Sequence, residues 1–278
     1  MAFELAVPET EAEAFEFLAG AGAPPAAALA GGTDLLLDVE YGRVDAARLV
    51  SLRRLPWRFV QWGESSVRIG STAPLASLES DPELRRRIPG LHTAVGAVGG
   101  YALRHRATLG GNLARCAPAS DLLPVLLALE CTVELVGPAG SRELELGKFL
   151  IGSRRTALGP SELIRSVTVP ARPCAYLWQR VRPANDISQV GVAAARRPDG
   201  AWTLAVGGIV PCPRGFPEAA GLLHGPSPGR AEIRAAADRA SREAPFSTDK
   251  RATESYRRRL VAVLVERAVD AVVLQGGG

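Results

Sequence analysis

The sequence predicts an α+β protein in which two small N-terminal subdomains precede a separate C-terminal α/β layer. Three observations carry this. Short apolar runs bounded by Gly and Pro alternate irregularly with capped helical stretches, and no internal repeat is present. Gly225-Pro-Ser-Pro-Gly229 marks a linker within the last third. The stretch from Thr253 to Leu274 is apolar at helical spacing, as expected of a long helix lying on a sheet. With 278 residues the chain has room for one large or two to three small domains. The divisions expected are residues 1–55, 56–172 and 173–275.

The first helix opens at Pro8 and runs to about Ala19, with acidic residues in its first turn and Phe15, Leu18 and Ala19 on one face. Gly20 and Gly22 are expected to end it. Ala27 to Ala30 reads as a strand feeding a glycine pair, and Leu35 to Leu37 as the apolar start of the next element. Leu49 to Leu52 and Val67 to Gly70 read as further strands. Asp81-Pro-Glu83 is a helix start, with Asp as N-cap and Pro at the first helical position. Leu91 to Val98 is a second helix. After the next glycine pair, Ser120 or Asp121 caps a helix that runs to Leu129. Cys131 to Val136 and Arg142 to Leu146 form a hairpin around Gly137-Pro-Ala-Gly140. Tyr176 to Arg182, Gln189 to Arg196 and Trp202 to Ile209 are strands, the last two joined by a turn at Pro198-Asp-Gly200. Glu232 to Arg242 and Thr253 to Leu274 are helices. In the latter, Tyr256, Leu260, Val263, Leu264, Ala268, Ala271 and Val272 are expected to pack on the sheet.

Composition narrows the function. The net charge of +4 comes from scattered arginines interleaved with acids, Lys148 and Lys250 being the only lysines, and aromatic residues make up 5% of the chain. That leaves little for base stacking, so nucleic acid is not the expected partner. Cys116, Cys131, Cys174 and Cys212 are widely spaced with no C-x-x-C pair, which argues for reduced thiols rather than a metal or cluster site. Met1 to Pro8 lacks a basic region followed by an apolar core, and no apolar run reaches the ~18 residues of a membrane span. A cytoplasmic protein with no membrane span is expected. His92, His105 and His224, the only histidines, read as surface or packed residues, and no Ser–His–Asp or Cys–His set is supported.

The chemistry lies in two glycine pairs, Ala30-Gly-Gly-Thr-Asp34 and Thr108-Leu-Gly-Gly-Asn112. Glycine pairs let backbone amides crowd together, and clustered amides bind phosphate oxygens. Thr33, Thr108 and Asn112 offer hydrogen bonds, and Asp121 suits a ribose hydroxyl. Together they point to a ligand carrying a pyrophosphate, a dinucleotide. The alternatives are ordinary turn glycines, local caps at Thr33 and Asn112, and a simple helix N-cap at Asp121. No G-x-G-x-x-G occurs, so the site is not a Rossmann one. The nearest approach to a P-loop, Gly140 with Gly147-Lys148, has the wrong spacing and Phe149 in place of Ser or Thr.

The two loops resemble those of the FAD-binding medium subunit of the molybdenum hydroxylases, which include xanthine dehydrogenase, carbon monoxide dehydrogenase and 4-hydroxybenzoyl-CoA reductase. Ala30-Gly-Gly-Thr-Asp-Leu35 is similar to the family's first loop. Thr108 through Pro124 matches its T-L/I-G-G-N, P, D and P positions throughout. Downstream, Glu162 to Pro170, Asn185-Asp-Ile-Ser-Gln-Val190, Gly207 to Arg214 and Tyr256 to Leu264 resemble later family segments in the same order. The turn Tyr101 to Thr108, with His105, departs from the usual I-R-N.

The resemblance implies a PCMH-type FAD-binding domain of two subdomains followed by a C-terminal domain of the CO dehydrogenase flavoprotein type. It carries cofactor contact to Leu29, Ala30, Gly31, Gly32, Thr33 and Asp34 in the first loop, and to Thr108, Leu109, Gly110, Gly111 and Asn112 in the second. Asp121 is implied at the adenosine ribose with Ser120 left as the cap, and Val98 and Ile164 as apolar walls. Asp186 is implied near the flavin ring, with a turn carboxylate as the alternative. Some members place a lysine shortly before that motif, where Trp178 and Gln179 stand here. The implied cofactor is FAD, bound without a histidine link. The implied partners are a large molybdopterin-binding subunit and a small subunit with two 2Fe–2S clusters, assembled as a dimer of heterotrimers, with NAD⁺, oxygen or a quinone as acceptor. Some relatives of the benzoyl-CoA type hold an extra iron–sulfur cluster, which Cys116 and Cys131 alone cannot ligate. A self-contained flavin oxidase of related fold and a non-enzymatic scaffold are the alternatives.

Overall fold

The computed structural model describes residues 3–19, 25–182 and 185–276. Strand β1 (Glu4–Ala6), helix α1 (Glu11–Ala19), β2 (Ala26–Leu29), α2 (Leu35–Glu40) and β3 (Arg48–Ser51) come first. Their strands pair in parallel in the order β1-β3-β2, which connections through helices permit. Ala14 is fully buried, and Phe15 and Leu18 pack beside it. Gly20 and Gly22, expected to end α1, lie outside the described residues. Strand β1 was not anticipated, because three residues are too few to show a period of two.

The next unit begins with β4 (Val60–Trp62) and β5 (Ser66–Gly70). A run of helices follows: α3 (Leu75–Glu79), α4 (Pro82–Arg87), α5 (Pro89–Ala97), α6 (Tyr101–Arg104), α7 (Leu109–Arg115) and α8 (Leu122–Ala128). The hairpin β6 (Thr132–Gly137) and β7 (Gly140–Glu145), the short α9 (Leu146–Phe149), the ribbon β8 (Leu150–Gly152) and β9 (Arg155–Thr156), and β10 (Leu163–Pro170) complete it. The sheet order is β4-β5-β10-β6-β7, antiparallel throughout. Its apolar face is covered by α3, α4, α5, α7 and α8 in one continuous core. Asp81 caps α4 as expected, its Oδ1 accepting from the Glu83 and Leu84 amides at 2.8 and 3.2 Å. The second glycine pair differs from the expected loop. Gly110 and Gly111 form the first turn of α7, because the Thr108 hydroxyl caps that helix by accepting the Gly111 N–H at 3.1 Å.

The last third is a meander of β11 (Cys174–Gln179), β12 (Val190–Arg196), β13 (Trp202–Gly207) and β14 (Arg214–Gly215), followed by α10 (Pro217–Ala220), α11 (Arg230–Glu243) and α12 (Glu254–Gln275). Side-chain alternation on β12 serves two cores. Ala193 and Ala195 face α5 and α8 of the preceding unit, while Val190, Val192 and Ala194 face α11 and α12. The sheet is therefore a shared middle layer. On α12 the buried face is Arg257, Val261, Leu264, Val265, Ala268, Val269 and Val272. Tyr256 and Val263, expected inward, are exposed. The apolar spacing misplaced the face because its first inward position is an arginine, whose Nη1 donates to the Gln189 and Gly208 carbonyls at 2.7 and 3.1 Å. Among the described residues, no helix is long and apolar enough to cross a membrane.

Candidate functional site

Chain direction brings the two glycine pairs together. After β2 the backbone turns at Gly32, whose φ of +79° lies in the left-handed region, and enters α2. A Cβ on Gly31 would fall 1.9 Å from the Arg106 carbonyl oxygen, so the first loop lies directly on the backbone leading to Thr108. A Cβ on Gly110 would fall 2.5 Å from Ser71 Cβ, so α7 starts hard against the end of β5. These two glycines are needed for packing. Gly111 is different: a Cβ there meets only the Thr108 hydroxyl, at 3.0 Å, and otherwise opens into space.

That space is a cavity of about 920 Å³, within the range of cofactor pockets. Ala28, Leu52, Val98, Leu103, Leu163 and Ile164 supply apolar wall, and Asn185 to Ile187 reach in from the C-terminal layer. A register shift in β10 beside Ile164 sets the wall locally. Among the described residues, the backbone amides of Gly31 to Leu35 donate to no protein acceptor. Clustered free amides beside a left-handed glycine form an anion-binding concavity. Asn112 Oδ1 is held by the Ser120 hydroxyl at 2.7 Å, which leaves its Nδ2 to donate. Ser71 lines the same cavity, and its buried hydroxyl has no partner among the described residues. Free amide donors, an orphaned hydroxyl and an apolar wall fit a ligand with a phosphate segment between ring systems.

Charge at the first loop is organised by residues that sequence reading missed. Asp38 is 2% exposed and accepts from Arg115 Nη1 and, at 3.2 Å, from Arg43, with Arg154 at 3.8 Å. Hydrogen bonding from Arg115 holds its carboxyl below the ordinary range, outweighing burial. Arg115 also pairs with Asp34 at 3.3 Å, tying α7 to the first loop. A signal existed: Arg115 stands four residues beyond Gly111, and Asp38 four beyond Asp34, so each lies on the same helix face as its loop.

Residues 1–172 match the family model of the FAD binding domain in molybdopterin dehydrogenase, and residues 175–272 that of the CO dehydrogenase flavoprotein C-terminal domain. The chain belongs to the molybdopterin dehydrogenase FAD-binding family. It is 26% identical to the xanthine dehydrogenase FAD-binding subunit of Escherichia coli O157:H7, over 92% of this chain and 91% of that one. It is 27% identical to the carbon monoxide dehydrogenase medium chain of Hydrogenophaga pseudoflava, over 97% and 96%. A solved carbon monoxide dehydrogenase from the same organism, lacking the Mo-pyranopterin moiety of its cofactor, superposes with a TM-score of 0.90 at 26% identity, covering 99% of this chain and 98% of that one. The protein is thus an FAD-binding medium subunit of the molybdenum hydroxylase type, with the two-subdomain α+β domain and C-terminal domain expected of it.

Against this family pattern, Ala30, Gly31, Gly32, Thr33, Asp34, Val98, Thr108, Gly110, Gly111, Asn112, Asp121, Ile164 and Asp186 all reach the cavity wall. Two expected residues do not. Leu109 is fully buried in the core behind α7, and Leu29 packs beneath Gly32. Both sit beside a glycine pair in sequence, but β and helical geometry turn their side chains into the packing behind the wall. Asp121 is largely engaged already. Its Oδ1 accepts from the Tyr176 and Ser188 hydroxyls at 2.7 and 2.5 Å, and its Oδ2 from Arg180 at 3.0 Å. Burial pushes its pKa up against the pull of these donors. Ser120 Oγ accepts from the Leu123 amide at 3.4 Å, the capping role expected of it. Asp186 accepts from the Arg182 and Ile187 amides, both at 2.9 Å, which hold its carboxyl below the usual range. Trp178 and Gln179 supply no cation beside the Asp186 motif, and the next residue, Arg180, pairs with Asp121. Its guanidinium faces Asp121 rather than the cavity.

Proposed function

We propose that this chain relays electrons within a three-component molybdenum hydroxylase. Its large subunit oxidises substrate at molybdopterin, and its small subunit carries electrons through two 2Fe–2S clusters to FAD. From FAD they pass to NAD⁺, oxygen or a quinone. When bound, FAD supplies the isoalloxazine that accepts and donates electrons singly or in pairs. The chain's own residues do the holding. The Gly31 to Leu35 amides and Asn112 Nδ2 would take the pyrophosphate, Ala30, Thr33, Asp34, Thr108, Gly110 and Gly111 would shape its seat, and Val98 and Ile164 would flank the rings. Asp121 has one acceptor direction left for a ribose hydroxyl, and Asp186, which lines the cavity, would stand beside the flavin. The assembly we propose is a cytoplasmic dimer of heterotrimers, with the chain divided at about residues 55 and 172.

The free amide cluster of the first loop carries this reading, because a row of donors without protein partners at a cavity wall suits an anion. Acid precipitation tests it. The purified chain should be yellow and release one FAD per chain into the supernatant, since none of His92, His105 and His224 lines the cavity. Flavin left in the pellet, or FMN in place of FAD, would count against it.

A further inference from the structure

Arg180, the residue after β11, is a buried charge outside the phosphate seat. Its side chain is 8% exposed, and a guanidinium so far from water needs several partners. It donates to the Ala97 carbonyl, to Asp121 Oδ2 at 3.0 Å and to the Ser188 hydroxyl at 3.3 Å. Each acceptor belongs to a different segment, and each segment continues into the cavity wall. Ala97 precedes the turn Val98 to Gly100, Asp121 lines the wall itself, and Ser188 follows the loop Asn185 to Ile187. The turn and the loop touch, since a Cβ on Gly100 would lie 2.8 Å from Asn185 Oδ1. The guanidinium is held from below by the Trp178 ring, 5.4 Å to its centroid, which in turn stacks on Tyr176 at 5.5 Å. Tyr176, Trp178 and Arg180 lie two residues apart on one face of β11, the face turned to α5 and α8.

We propose that Arg180 is a positioning residue: with Asp121 it clasps the C-terminal domain over the FAD cavity, fixing the Asn185 to Ile187 loop against the Val98 to Gly100 turn. The inference rests on FAD occupying that cavity. Two features separate the clasp from an ordinary buried ion pair. It sits at the cavity end of the domain interface, whereas the apolar contacts of Cys174, Ala193 and Ala195 hold the domains together elsewhere. Its acceptors are contributed by both domains, so it resists opening of the wall rather than unfolding of either half. Loss of the clasp should therefore speed the escape of FAD while the phosphate seat remains intact.

The test uses the whole chain carrying FAD, with Arg180→Lys and Tyr176→Phe. An ammonium keeps the charge opposite Asp121 but cannot reach three separate acceptors, so Arg180→Lys should release FAD about tenfold faster. Tyr176→Phe removes one donor from Asp121 and should speed release by about threefold. Release is read from the recovery of FAD fluorescence on dilution, and the visible circular dichroism of the bound flavin should change in the same order. A purely structural pair would lower the melting temperature of the flavin-free chain and leave both readouts at wild-type values, which would overturn the clasp. A wild-type chain that takes up no FAD would sink the functional reading and this inference with it. A wild type that binds FAD beside variants that release it at the same rate would overturn the clasp alone.

Discussion

Gly110 and Gly111 are neighbours that are glycine for opposite reasons. A side chain at Gly110 runs into Ser71 Cβ and its carbonyl oxygen, at 2.5 and 2.8 Å, where β5 and α7 leave no room to move apart. Gly110→Val should therefore destabilise the fold by about 3 kcal/mol or more. A side chain at Gly111 points into the cavity beside the amide cluster. Gly111→Val should leave a folded chain whose FAD affinity falls at least about tenfold, roughly 1.4 kcal/mol. Thermal melts of the two variants and their flavin-to-protein absorbance ratios separate the cases. A Gly111→Val protein that purifies fully flavinated would show that the start of α7 is no part of the phosphate seat. The sequence alone treats this pair as one motif, and only the neighbouring strand distinguishes its members.

At the scale of elements, α12 shows how a periodic signal can be right in kind and wrong in phase. Its existence follows from Thr253, whose hydroxyl accepts from the Tyr256 amide, and from the apolar run behind it. Its orientation is decided by Arg257, which is 5% exposed and also pairs with Asp249 at 2.6 Å. Arg257 is bound to the carbonyls at the two strand ends Gln189 and Gly208, so it locks the helix start to the sheet. Arg257→Met would leave those carbonyls and Asp249 without their donor and should cost about 3 kcal/mol. Tyr256→Ala, on the exposed side, should cost less than about 1 kcal/mol. Urea denaturation midpoints measure both. Equal effects would mean that the helix face is the one its apolar spacing indicates.

For the whole molecule, the cavity wall decides what the chain can do alone. Among its described residues it presents amides, hydroxyls, carboxylates and arginines, with no His, Cys or Lys that could serve as a nucleophile or poised base. The four cysteines are free and buried, and burial pushes the Cys116 and Cys174 thiols up to about 11, so thiolate chemistry is disfavoured. The isolated subunit should therefore fail to reduce its flavin with purines, aldehydes, aromatic heterocycles or carbon monoxide. Joined to its molybdenum and iron–sulfur partners, it should be reduced by the substrate of that complex. Rapid-mixing absorbance of the flavin band follows both. Reduction of the lone chain by an organic substrate would replace the relay with a self-contained oxidase.

The sequence by itself determined what short-range chemistry controls. The Asp81 cap, the hairpin of β6 and β7, and the two glycine pairs with their family resemblance all follow from residues within a few positions of one another. Tertiary structure decided which side chains those loops finally face. Arg180 meets Asp121 across 59 residues, and Arg115 meets Asp38 across 77. Leu109 turned inward and Gly111 outward only once α7 had a strand to lie on. Such pairings depend on which surfaces become buried together, and burial is what gives a charged or polar group its need for a partner. A local pattern carries the propensity to cap, turn or pair, but not the dielectric in which a distant arginine will find itself.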